Sequence, residues 1–233
     1  MPTRLQIFTR VPKLGKVKTR LEPFLGQEGC LVLHRCLIEH ALSLASGWQY
    51  GPVEFWFALP DAEPQQAFDL EYMETIRNDL HLPSSIFMRV QQGNNLGDRI
   101  QFALNSALEQ GDSSILIGTD CPEQRVSHLD EAYSRVQEQA RLVIQPATDG
   151  GFVLIGCSAL LGSKNSIKDL DLNKGIDWGT DQVLAQLESR LQESGLAYDK
   201  IVEISDLDTE EDFLKLQSDS HSFVDHFYKN MLN

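Results

Sequence analysis

SILIGTDCPE, residues 114–123, joins an uncharged apolar run to a glycine, an aspartate and a proline. Ser114–Gly118 reads as a strand buried on both faces, the pattern of a parallel sheet covered by helices. The chain then presents Asp120 two residues beyond the strand. A carboxylate there can bind a metal or a ligand hydroxyl, or cap a turn.

Strand-like and helix-like stretches alternate in both directions from this point. Leu5–Thr9, Val53–Leu59, Ile86–Val90, Leu142–Gln145, Phe152–Ile155 and Ile201–Ile204 read as further strands. Apolar periodicity predicts helices over 26–45, 64–80, 96–109, 127–139, 179–193 and 209–217. A DGG turn separates the strands on either side of residues 149–151. This alternation predicts one α/β unit with a largely parallel sheet, whose ligands bind beyond the carboxyl ends of the strands.

The chain of 233 residues carries a net charge of −14 and a pI near 4.8. That balance disfavours nucleic-acid binding, which uses a basic footprint. Cys30, Cys36, Cys121 and Cys157 form no CxxC pair and suggest neither a zinc site nor a disulfide framework. No apolar run approaches the ~18 residues of a membrane span, and a cytoplasmic protein is expected.

The first strand leads into RVPKLGKVKTRL, residues 10–21. Six of the 20 Lys and Arg residues, Arg4, Arg10, Lys13, Lys16, Lys18 and Arg20, fall within residues 1–20, which contain no Asp or Glu. Gly15 allows a tight turn, and a helix starting near Lys18 adds positive potential. The loop can cradle a phosphate or pyrophosphate, or be a solvated basic turn. It is not a Walker A loop, because Arg10 and Val17 stand where that pattern needs Gly and Ser or Thr.

After Leu142–Gln145 comes Asp149, a candidate metal ligand, general base or turn former. Asp177 and Trp178 precede a helix that Gly179 or Thr180 can cap, and an aromatic there can stack on a base or sugar. GNNLGDRI, residues 93–100, opens a helix and either orders a loop over a nucleotide or forms a plain cap. Asp208 and Glu211 have capping-box spacing. The final residues, 218–233, are polar with a few aromatics and read as a C-terminal tail.

Taken in order, PxxGxVKTRL (12–21), GNNLGDRI, GTDCPE (118–123), PATDGGFVLIG (146–156), DWGTD (177–181) and DLDTEEDF (206–213) resemble the bacterial DUF2064 family. The resemblance spans residues 4–217 and implies the GT-A, nucleotide-diphospho-sugar transferase fold. That is a single three-layer α/β/α domain over 1–217. Nucleotidylyltransferases of the molybdenum-cofactor and coenzyme F420 pathways share this fold. By the resemblance, Arg10, Gly15, Lys16, Lys18 and Arg20 face nucleotide phosphates. Asp120 holds a divalent cation, Mg²⁺ or Mn²⁺, Asp149 is a second acidic group, and Asp177 and Trp178 lie on the acceptor side.

The activity so implied is glycosyl transfer from a nucleotide-diphospho-sugar to a small-molecule acceptor. Asp149 or Asp177 would serve as base if the reaction inverts. The alternatives are a nucleotidylyltransferase, which consumes an NTP and releases pyrophosphate, and a non-catalytic nucleotide-binding module.

Overall fold

The computed structural model describes residues 1–59, 70–139, 141–163, 171–172, 174–219 and 222–232. Seven strands form one sheet: β1 (Thr3–Arg10), β2 (Val53–Ala58), β3 (Phe87–Val90), β4 (Ser113–Gly118), β5 (Leu142–Pro146), β6 (Phe152–Cys157) and β7 (Tyr198–Lys200). Their order is β3-β2-β1-β4-β6-β5-β7. All neighbours are parallel except β6, which runs antiparallel between β4 and β5.

The helices are α1 (Glu22–Ser46), α2 (Leu70–Asp79), α3 (Leu96–Leu108), α4 (Val126–Glu138), α5 (Val183–Glu193), α6 (Glu210–Ser218) and α7 (Ser222–Met231). Alternate strand residues feed opposite faces of the sheet, as the period of two requires. Leu5, Ile7, Ile115 and Ile117 pack with residues of α1, α2 and α4 on one face. Phe8, Leu116, Ile144 and Ile155 pack with residues of α3 and α5 on the other. The central α/β/α layering therefore follows from the apolar runs around residues 114–118.

Arg4, the first of the clustered cations, does not join the basic loop. It donates to Asp112 Oδ2 at 2.7 Å and to Glu54 Oε1 at 2.8 Å, and Glu54 also accepts from Gln6 and Trp56. These bonds satisfy a carboxylate only 2% exposed beneath the sheet.

Several boundaries differ from the sequence expectation. Gly26 sits at φ 68, ψ 170 and breaks α1 near its start. The part of the 64–80 helix within the described residues is α2, and residues 60–69 lie outside them. The last strand is Tyr198–Lys200, not Ile201–Ile204. Ile201 is buried in the core while Ile204 makes a single bridge to Ala147. The backbone bonding to β5 runs on past Lys200, with Ile201 N donating to Ile144 O at 3.0 Å and Ile204 N to Pro146 O at 3.2 Å.

Helix α5 starts at Val183 rather than Gly179. Gly179 has φ +88, and the Thr180 hydroxyl closes a turn onto the Asp177 carbonyl at 2.8 Å. Beyond α6, residues 222–231 form α7, which buries Phe223, Val224 and Phe227 against α1 and α6. The few aromatics of that polar segment are its packing face. Among the described residues, no helix is long and apolar enough to cross a membrane.

Candidate active site

A cleft of ≈ 740 Å³ opens at the carboxyl ends of β1, β4 and β5. Because β6 is reversed, its amino end, with the turn before it, meets the same edge. The cleft is lined by the basic loop, the start of α3, Asp120, the 147–153 hairpin, the 178–183 turn, Asp206 and Asp208.

The basic loop is built to turn Lys18 inward. Lys16 N donates to Lys13 O at 3.0 Å across a β-turn, with Gly15 at φ +67 supplying the left-handed residue. Lys18 is itself left-handed, at φ 51, ψ 36, and a single 3-10 turn, Thr19–Leu21, follows. A left-handed lysine is uncommon and persists where surrounding contacts fix it. Its ammonium reaches Asp120 Oδ1 at 2.6 Å, Asp208 Oδ1 at 3.0 Å and the Leu207 carbonyl at 2.6 Å. Beneath it His34 Nε2 lies 3.0 Å from the Arg10 carbonyl oxygen. Burial holds the imidazole below its ordinary pKa, and the neutral ring supports the loop as a donor.

Desolvation pulls the Lys18 pKa down, but Asp120 and Asp208 outweigh it and hold the ammonium above its ordinary value. For Asp120, desolvation pushes upward, and the charge and hydrogen bond of Lys18, aided by His34 and Arg10, overcome it. The Asp120 carboxyl is therefore held below the usual range and is anionic at neutral pH. Its side chain remains 52% exposed to the cleft.

Arg10 and Lys16 line the cleft without an ion-pair partner among the described residues. Arg20 reaches Asp208 Oδ2 at 3.2 Å from the rim. A third cation, Arg99, also without an ion-pair partner among the described residues, comes from α3, where Nε donates to the Gly93 carbonyl at 3.3 Å. Asn95 caps this helix by accepting from Asp98 N at 2.9 Å, so its amino end faces the cleft beside Arg99. Helix start and cations together make a region of positive potential.

The other wall is acidic. Asp149 accepts from Gly151 N at 2.9 Å, which shapes the hairpin and leaves its second oxygen toward the cleft. Gly150, at φ +88, lies so close to the 181 backbone that a Cβ would stand 2.1 Å from the Asp181 carbonyl oxygen. Asp206 completes this wall. Burial first, then the charges of Asp149 and Asp208, push its pKa up to about 6.

The structure thus brings Arg10, Lys16, Lys18, Arg20, Asp120, Asp149 and Trp178 to one cleft. Trp178 is fixed by its indole N–H on the Leu172 carbonyl at 3.3 Å and by an edge contact with Phe152. Gly15 and Asp177 are not among the lining residues. Gly15 shapes the turn from behind, near Gln27, and Asp177 Oδ2 accepts from Gln186 Nε2 at 3.1 Å on the outside of the 178–183 turn.

Arg99, Asp206 and Asp208 are site residues beyond the sequence expectation. The capping role expected of Asp208 belongs to Thr209, whose partner is Asp212.

A divalent cation can be met here by the free oxygen of Asp120, with Asp149 across the hairpin. One or two carboxylates with phosphate oxygens are a donor set that Mg²⁺ accepts. Elsewhere among the described residues, Cys36, Glu39 and His226 bring three donor atoms within 4.8 Å of one another.

The fold is that of nucleotide-diphospho-sugar transferases. The DUF2064 family, described as "Uncharacterized protein conserved in bacteria", matches residues 49–180, more than half of the chain, and the protein belongs to that family. A protein of Desulfovibrio desulfuricans G20, provisionally described as a nucleotide-diphospho-sugar transferase, superposes with a TM-score of 0.82 at 24% identity, over 100% of this chain and 96% of its own. A 4-diphosphocytidyl-2C-methyl-D-erythritol synthase from Anaerococcus prevotii DSM 20548 gives 0.57 at 11% identity, covering 94% and 96%. CMP:2-keto-3-deoxy-manno-octonic acid synthetase complexed with CTP gives 0.54 at 11%, covering 95% and 99%. No curated protein matches the chain.

Proposed function

We propose that the protein transfers a sugar from a nucleotide-diphospho-sugar to a small-molecule acceptor. The observation that carries this reading is the division of a single ≈ 740 Å³ cleft into a cationic wall, Arg10, Lys16 and Arg99, and an acidic wall, Asp149 and Asp206. The volume suits a nucleotide-sized ligand. The cations bind the diphosphate and neutralise the charge that grows on it as the bond to the sugar breaks.

Lys18 holds Asp120 and Asp208 in register and adds its own charge to the floor. Asp120 would hold a divalent ion, which would add to the neutralisation of the diphosphate. On the acidic wall Asp149 takes the proton of an acceptor hydroxyl if the transfer inverts, and Asp206, its pKa raised by burial and by the charges of Asp149 and Asp208, lines the same wall. Trp178 presents its ring to the acceptor side.

A second reading, nucleotidyl transfer from an NTP to a phosphorylated acceptor, is favoured by the likeness in fold to the two cytidylyl-compound synthases. Product analysis separates the two. The protein is incubated with NTPs and nucleotide sugars, with and without Mg²⁺ or Mn²⁺. Release of a nucleoside diphosphate from a nucleotide sugar supports glycosyl transfer, whereas pyrophosphate from an NTP overturns it. Nucleotide binding with no turnover, unchanged in Asp120→Ala, leaves a binding module.

A further inference from the structure

Outside the cleft, α1 and α7 bring three chemically different metal-binding side chains together. Cys36 and Glu39 stand three residues apart on α1, and His226 and Asn230 stand four apart on α7, so each pair shares one face of its helix. The two faces meet. Glu39 Oε2 lies 2.7 Å from His226 Nε2, and Asn230 Nδ2 lies 3.2 Å from His226 Nε2 and 3.7 Å from Cys36 Sγ. The donor atoms of Cys36, Glu39 and His226 all fall within 4.8 Å of one another.

We propose that Cys36, Glu39 and His226 form a Zn²⁺ site that clasps α7 to α1. A thiolate, an imidazole and a carboxylate are the ligand types Zn²⁺ takes, at about 2.3 Å for sulfur and about 2.0–2.2 Å for nitrogen and oxygen. Tetrahedral placement at those lengths requires donors about 3–4 Å apart. The present separations, from 2.7 Å for Glu39–His226 and none beyond 4.8 Å, lie around that spacing. Cys36 is buried, whereas Glu39 and His226 are 54% and 47% exposed, so the site opens to solvent on one side.

The fourth position goes to water or to the amide oxygen of Asn230. A surface ion pair accounts for His226 and Glu39 alone. It does not account for a thiol and an amide converging on the same point.

Binding takes one proton from Cys36 and releases it to solvent, while Glu39 binds as carboxylate and His226 as neutral imidazole. The helix so held contributes Phe223 and Phe227 to the cluster that contains Leu21, the last residue of the basic stretch.

The test uses the full chain freed of metal by a chelator. Zn²⁺ is titrated with thermal unfolding as readout, and Co²⁺ is used as a spectroscopic probe. The proposal expects a Tm rise saturating at one equivalent and a thiolate-to-cobalt charge-transfer band with tetrahedral visible bands. Cys36→Ser should abolish the band, and both it and His226→Ala should weaken binding by about tenfold or more.

Wild-type affinity in Cys36→Ser, or cobalt bound without a thiolate band, means adventitious surface binding and overturns the proposal. Should Cys36→Ser fail to fold, Glu39→Gln carries the same expectation of about tenfold weaker binding. Unchanged affinity there overturns the proposal equally.

Discussion

Lys18→Met removes the cation that joins Asp120, Asp208 and the Leu207 carbonyl. Two carboxylates at 2.6 and 3.0 Å give a gross attraction of several kcal/mol each at an effective dielectric of about 20. Taking a lysine that is 5% exposed out of water consumes much of it. The remaining carboxylates are 52% and 40% exposed and water can resolvate them. The loss should therefore fall at about 1–3 kcal/mol, below the ~3–5 of a fully buried pair. For a chain of this length that is a Tm lower by roughly 2–10 °C at pH 7.

The pH profile adds a signature. Lys18 is raised, so its contribution is complete below 10.5 and is lost as pH climbs through the folded value. Asp120 is depressed, so its contribution is complete above 3.8 and is lost as pH falls through the folded value. Wild type and variant should thus differ most between about pH 4 and 10 and converge on either side. Chemical denaturation across pH reads this directly. A variant as stable as wild type at pH 7, or a gap that persists at both extremes, would refute the idea that Lys18 locks the cleft floor.

Arg10→Ala, Lys16→Ala and Arg99→Ala should each weaken nucleotide binding about five- to tenfold by calorimetry while shifting Tm little, because none has an ion-pair partner among the described residues. Asp206→Asn should stabilise the protein by about 1–3 kcal/mol above pH 6. The wild-type carboxyl is raised from 3.8 to about 6, so stability is lost as pH rises through that window, and the amide removes the slope in denaturation measurements. Gly150→Ala should lower stability by about 1–3 kcal/mol, since a Cβ would meet the Asp181 carbonyl at 2.1 Å, and Tm with ligand titration will show both fold and cleft affected. Arg4→Ala should cost about 2–4 kcal/mol in denaturant unfolding, because it removes the closest cation from a Glu54 that is 2% exposed and leaves it the Gln6 and Trp56 N–H groups and a more distant Arg89.

The sheet is legible because β4 and its neighbours are apolar runs whose burial dictates their place, and Asp120 stands out by following the plainest of them. The residues that escape pattern reading do so for physical reasons. Arg99 lies within the first turn of an amphipathic helix, where a cation looks like a solvated face until the Gly93 carbonyl aims it. Asp208 has a plausible local partner three residues on, and only the 190-residue contact with Lys18 shows where it goes. Asp177 has the opposite history: its position before a helix suggests the site, yet Gln186, one helix turn inside α5, claims both its backbone N–H and its carboxylate. β7 lies three residues earlier than the apolar pattern suggests, on Tyr198–Lys200, whose side chains give no apolar run to read.

The reversed strand β6 has a further consequence. A parallel strand enters the sheet through a crossover helix, so altering its loop disturbs a packed layer. The 147–151 reversal hangs between two antiparallel neighbours and carries no helix. A change there rebuilds no crossover helix, while the cations of the opposite wall stay anchored to β1 and α3. One half of the cleft thus rests on a hairpin, and the other on the crossover architecture of the sheet.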